Sequence, residues 1–191
     1  MTDIYKVLLV EDDPDFVFLI QQVIDKCEKL SFLRSVRRGE EGVALAKKLK
    51  PDVVLMDMNL PGGMDGEAAA RAIRLATNAK VLMLTAREEP EVIIRASIYA
   101  FASGYIFKSQ CQDLVDVILH TLQCRTPQAL FIRELALSGL SSAERGVLEM
   151  LNSGNFALHS ADKTIANQKT SIFRKLGLRN TAELMHILNT W

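Results

Sequence analysis

The chain has 191 residues and no net formal charge, with 49% hydrophobic and 24% charged residues. That length leaves room for one or two domains, and the balance excludes the charged, apolar-poor profile of a disordered chain. Cys27, Cys111 and Cys124 lie far apart, lack the paired spacing of zinc or redox motifs, and read as buried thiols.

Met1 to Lys6 contain no basic region followed by a long apolar stretch, and polar residues interrupt every later apolar run below spanning length. The expectation is a cytoplasmic chain with no membrane attachment. Short β-branched runs then alternate with stretches of helical period, the pattern of repeated βα units around a parallel sheet. The strands are predicted at Tyr5 to Val10, Phe32 to Val36, Val53 to Met56, Lys80 to Leu84 and Gly104 to Phe107. The first helix starts at Asp13-Pro14, a carboxylate cap followed by proline at the first helical position. After the third strand, Asn59-Leu60-Pro61-Gly62-Gly63-Met64-Asp65-Gly66 is too rich in turn formers for regular structure.

Ligands of doubly wound sheets collect beyond the carboxyl ends of the strands. There the chain puts Glu11 and Asp12 after the first strand, Asp57 after the third, Thr85 after the fourth and Lys108 after the fifth. Three carboxylates at one edge repel one another unless a cation lies between them. An all-oxygen set with room for water and a phosphate oxygen suits Mg²⁺. Lys108 and Thr85 then offer a fixed charge and a hydroxyl to a transferring phosphoryl group, and Asp57 is the nucleophile, giving an aspartyl phosphate. Singly, these residues serve as caps, turn residues or solvated charges; their order along the chain favours the site.

Val10-Glu11-Asp12-Asp13, Val54-Leu55-Met56-Asp57, Leu84-Thr85-Ala86 and Gly104-Tyr105-Ile106-Phe107-Lys108 resemble the receiver domain of two-component response regulators, over about Lys6 to Leu122. The resemblance implies a five-stranded parallel sheet of order 2-1-3-4-5. It makes Asp57 the phosphoacceptor, with Glu11, Asp12, Asp57 and the backbone carbonyl of Asn59 around Mg²⁺. Thr85 and Lys108 then contact the phosphoryl group, and Tyr105 is the switch aromatic. A sensor histidine kinase or phosphotransfer protein is the implied donor. Two departures stand out: an extra glycine in the loop after Asp57, and Phe101 where a helix-ending glycine is common.

Residues 1–123 read as the receiver, 124–139 as a linker that changes character at Pro127, and 140–191 as a small helical domain. Residues 1–124 hold 15 basic against 18 acidic side chains, and residues 140–191 hold 6 against 4. Leu140 to Leu151 form an amphipathic helix opened by a Ser141/Glu144 capping box. A second helix, about Asp162 to Leu176, turns Ile165, Ile172 and Leu176 to a core and Thr164, Asn167, Gln168, Ser171 and Lys175 to its polar side.

This region is similar to the helix-turn-helix of NarL/FixJ (LuxR-like) regulators in Leu140 to Leu151, Lys163-Thr164-Ile165, Ile172 to Leu178 and Thr181 to Leu184. Between Gly154 and Asp162 it has several residues fewer than that family gives the helix that braces the recognition helix in the major groove. Lys163, Thr164, Asn167, Gln168, Lys169, Ser171, Arg174 and Lys175 are the candidate DNA contacts, with Arg179 as a further phosphate contact.

The leading expectation is a phosphorylation-controlled transcription regulator that dimerises on phosphorylation and is no turnover enzyme. The alternative is a switched protein-interaction or dimerisation module whose shortened helix-turn-helix does not bind DNA. An aspartyl-phosphate phosphatase needs a second acid for proton transfer, and Asn59 occupies that position.

Overall fold

A computed structural model describes residues 4–86, 89–153 and 163–191. The chain divides into two compact units, Met1–Ile132 and Arg133–Trp191.

The first unit is a parallel sheet of five strands, β1 (Tyr5–Val10), β2 (Leu30–Val36), β3 (Val53–Asp57), β4 (Lys80–Thr85) and β5 (Gly104–Phe107), in the order β2-β1-β3-β4-β5. Each inner strand alternates its side chains between two apolar layers, as a strand covered on both faces must. Val7, Leu9, Val53, Leu55, Leu82 and Leu84 share one layer with Ile20 and Ile24 of α1 (Pro14–Asp25) and Leu114 and Ile118 of α5 (Leu114–Gln123). Leu8, Val10, Val54, Met56, Val81 and Met83 share the other with α2 (Gly39–Leu49), α3 (Gly66–Ala76) and α4 (Pro90–Ala100), through Ala46, Ala69, Ala70, Ile73, Ala96 and Ala100.

Three boundaries differ from the sequence expectation. β2 begins two residues sooner, at Leu30. β3 and β4 each run one residue further, because Asp57 pairs with Leu84 and Thr85 with Phe107 in the ladder. Asp57 and Thr85 are therefore the last residues of strands, held by sheet pairing. The expectation of three buried thiols is also corrected. Cys111 is buried, Cys27 half-buried and Cys124 exposed, and all three are free.

The stretch expected as a linker carries a helix, α6 (Pro127–Leu137), and the division between the units falls inside it. Its first turn closes the open side of β5: Gln128 Oε1 accepts the Tyr105 backbone N–H at 3.2 Å.

The second unit contains α7 (Ser142–Asn152), α8 (Lys163–Leu176) and α9 (Thr181–Thr190), with Val147, Leu151, Ile172, Leu176, Leu184 and Ile187 among its buried residues. The capping box that opens α7 is present in both directions, Ser141 N–H to Glu144 Oε2 at 2.7 Å and Glu144 N–H to Ser141 Oγ at 3.3 Å. The shortened segment between Gly154 and Asp162 lies outside the described residues. No described helix is long and apolar enough to cross a membrane.

Candidate functional site

Three local devices bring the acidic residues together. Glu11 leaves β1 with its N–H bonded to the Val36 carbonyl at 2.9 Å, which fixes it to the end of β2. Asp13 caps α1, its Oδ1 accepting the N–H groups of Asp15 (2.9 Å) and Phe16 (3.4 Å); it is spent on the helix and takes no part in the acidic group. The loop after β3 is pulled back by Met58 N–H to Leu84 O at 3.2 Å and by Gly66 N–H to Met58 O at 3.4 Å. It leaves Asp57 3% exposed at the sheet edge.

Glu11, Asp12 and Asp57 each offer a carboxylate oxygen, and these atoms lie within 4.8 Å of one another. Lys108, the first residue after β5, closes the group, its Nζ 2.7 Å from Glu11 Oε2 and 3.3 Å from Asp57 Oδ2. Thr85 is fully buried at the end of β4. Five sequence-selected residues, Glu11, Asp12, Asp57, Thr85 and Lys108, thus come from four strand ends to one edge of the sheet.

The electrostatics match the crowding. Burial pushes the Glu11 carboxyl up, with Asp57 adding to the rise, although Lys108 hydrogen bonding opposes it. Burial likewise pushes Asp57 up against the pull of Lys108 and the Asn59 backbone N–H, and the Asp12 charge pushes it further. For Lys108, burial favours the neutral amine, but its contacts with Glu11 and Asp57 outweigh burial and hold the ammonium above its ordinary value. One lysine therefore does not neutralise three carboxylates. Asp57 Oδ1 is buried with no hydrogen-bond partner, a position that calls for a cation or a donor. The all-oxygen, clustered set fits a hard divalent ion such as Mg²⁺.

Tyr105 is half-buried on β5, its ring packed against the α2–α4 layer and edge-on to Phe107 with centroids 5.7 Å apart. Asn59 is exposed in the loop. Phe101 ends α4 in the left-handed conformation (φ 52°, ψ 38°) and is 1% exposed. Two arginines of α3 hold it. The Arg71 guanidinium lies 4.6 Å from its ring centroid, and Arg74 Nε donates to its carbonyl at 2.9 Å. Sequence reasoning missed both arginines. Their signal was faint: Arg74 shares the helical face of Ala70 and Ile73, an odd place for a charge.

On α8, Lys163, Thr164, Asn167 and Arg174 are exposed, and Gln168 and Lys169 are half-buried. Lys175 is exposed on the expected polar side and also has partners within the unit. Its Nζ lies 2.7 Å from Glu144 Oε2 and 3.0 Å from the Gly139 carbonyl, and Ser171 also bonds Glu144. Both side chains complete the α7 cap, because a buried carboxylate must be met by donors. Arg179 is engaged with Glu183, Nε to Oε1 at 2.6 Å.

Comparison with known proteins agrees with this geometry. The response regulator receiver domain family matches residues 7–119. The nitrate/nitrite response regulator protein homolog of Haemophilus influenzae is 27% identical over 199 residues, covering 98% of this chain and 93% of that protein. A protein-glutamate methylesterase/protein-glutamine glutaminase of Methanospirillum hungatei is 33% identical over 99 residues, but the match spans 28% of its length. Among solved structures, the RcsB response regulator of Salmonella typhimurium covers the whole of both chains at a TM-score of 0.59 and 22% identity, a likeness of fold. The sheet order, the acidic edge with its lysine and the match over more than half of the chain together identify it as a member of the response regulator receiver domain family.

Proposed function

We propose that Asp57 accepts a phosphoryl group from the phosphohistidine of a sensor kinase or phosphotransfer protein, and that this controls transcription through the C-terminal helices. The observation that carries the reading is the Lys108 ammonium bridging Glu11 and Asp57 at a buried, oxygen-lined edge. An Asp57 carboxylate oxygen attacks phosphorus, the phosphorus–nitrogen bond breaks with its electron pair going to the imidazole, and an acyl phosphate remains. Glu11, Asp12, Asp57 and the Asn59 carbonyl would hold Mg²⁺, which when bound neutralises charge on the phosphoryl oxygens. Lys108 moves its ammonium to a phosphoryl oxygen and Thr85 offers its hydroxyl. Movement of Thr85 lets Tyr105 turn inward, shifting the population of the domain.

In this reading residues 1–123 are the phosphoacceptor domain, 124–139 the connector and 140–191 the output domain. The protein works in the cytoplasm, dimerises on phosphorylation, and turns over no substrate beyond its own aspartyl phosphate. DNA contact would fall to Lys163, Thr164, Asn167, Gln168, Lys169, Ser171, Arg174 and Lys175. A specific observation favours a second reading of the output domain, as a protein-interaction or dimerisation module: Lys175 and Arg179 are engaged within the unit, which leaves fewer cations for phosphates.

The test is intact-mass analysis after acetyl phosphate and Mg²⁺, followed by a salt titration of binding to genomic DNA fragments. Hydroxylamine-sensitive phosphorylation lost in Asp57→Asn, with selective DNA binding enhanced by it, is the expected result. Absence of phosphorylation in the folded protein refutes the phosphoacceptor; phosphorylation without DNA binding moves the output to the second reading.

A further inference from the structure

Lys108 is bounded on three sides. Two are the carboxylates of Glu11 and Asp57; the third is the ring of Phe16, whose centroid lies 4.8 Å from Nζ. Phe16 belongs to the first turn of α1, and its own N–H is one of the two that Asp13 caps at the mouth of the acidic edge. The ring is therefore located by the same short segment that supplies Glu11 and Asp12. The Lys108 side chain is 21% exposed, so the ring face meets an ammonium largely withdrawn from water.

An aromatic face attracts a cation through its quadrupole, and more strongly when the cation is desolvated. It differs from a carboxylate in a way that matters for transfer. It carries no net charge to repel an incoming phosphoryl group, and its attraction varies gently with position. When Glu11 and Asp57 are engaged by a divalent ion and by phosphorus, the two charged anchors of Lys108 are weakened together. Of its three present contacts, the ring's is the one that stays.

We propose that Phe16 is a positioning residue for phosphoryl transfer, its ring face holding the Lys108 ammonium at the mouth of the acidic edge where a phosphoryl oxygen arrives. This rests on the reading of Asp57 as phosphoacceptor. Phe16 also packs against the layer formed with α1 and α5, so a truncation would mix packing with ring electronics.

The experiment separates the two in the full-length chain. Phe16 is replaced by mono-, di- and trifluorophenylalanine, which keep its shape and progressively cancel its quadrupole, and Asp57 phosphorylation by acetyl phosphate with Mg²⁺ is timed. Phe18, an exposed ring on the same helix, receives the same series as a control. The initial rate falls stepwise, roughly two- to fivefold at trifluoro, with the melting temperature unchanged and no response at Phe18. Phe16→Tyr keeps the rate and Phe16→Leu loses it. A flat rate across the Phe16 series overturns the inference and leaves the phosphoacceptor standing. A folded parent chain that takes no phosphoryl group overturns both.

Discussion

Gly66 donates its N–H to the Met58 carbonyl and lies against the backbone of Asp57, and alanine there tests the whole arrangement. Its Cβ would lie 1.8 Å from the Asp57 carbonyl oxygen, 2.8 Å from the carbonyl carbon and 2.9 Å from Met58 Cα. All three are main-chain atoms, so no rotamer change relieves the clash. Ordinary contact begins at 3.4 Å, so the two segments must separate by 3.4 − 1.8 = 1.6 Å. Overpacking of a well-packed site costs typically 1–3 kcal/mol, and a rigid clash of this depth belongs at the top, about 3 kcal/mol. A misplacement of about 1 Å at a reacting group lowers its rate about a hundredfold. Gly63→Ala is the internal control. Its Cβ would meet only Glu40 Oε1 at 3.3 Å, the far end of a flexible side chain, so its cost is about 0.5 kcal/mol or less. Urea unfolding gives the stability and timed acetyl phosphate labelling gives the reactivity. Gly66→Ala within about 0.5 kcal/mol of the parent, labelling at the parental rate, would refute the reasoning.

Three further outcomes are expected from the packing around Phe101, Glu144 and Gln128. Phe101→Gly restores the glycine common at this helix end and removes a left-handed penalty of about 1 kcal/mol, but it empties a buried ring site worth about 3–5 kcal/mol. The variant therefore loses about 2–4 kcal/mol in urea unfolding. Glu144 is held down from an ordinary 4.5 to about 2, first by the Lys175 hydrogen bond and then by Ser141 and Ser171. A depressed carboxyl contributes stability that is present above its unfolded value and lost as pH falls through its folded value. The second unit should thus lose stability from about pH 4.5 down to about 2, and Glu144→Gln should flatten that part of the profile in pH-dependent urea unfolding followed by circular dichroism. Gln128→Ala removes the acceptor of the Tyr105 N–H, so hydrogen exchange at that amide should accelerate, while exchange at the inner strands stays at its parental rate.

Much of the receiver was legible in the chain because its physics is local and periodic. Alternation along each strand assigns side chains to two layers, Asp13-Pro14 opens α1, and the residue after each strand falls at the sheet edge by topology alone. Glu11, Asp12, Asp57, Thr85 and Lys108 could be grouped on that ground. The Ser141/Glu144 capping box was readable for the same reason, its partners being three residues apart. Tertiary structure decided what depends on residues distant in sequence. Lys175 meets Glu144 across 31 positions, so helical periodicity put it on a polar face while packing gave it a buried carboxylate. Gln128 reaches the open edge of β5 across 23 positions, a partner that no turn or strand pattern reveals. Phe101 keeps its unfavourable backbone because Arg71 and Arg74, nearly thirty residues before it, hold its ring and its carbonyl. Sequence pattern carries interactions that recur within a few residues; contacts closed by folding are set by which elements end up side by side.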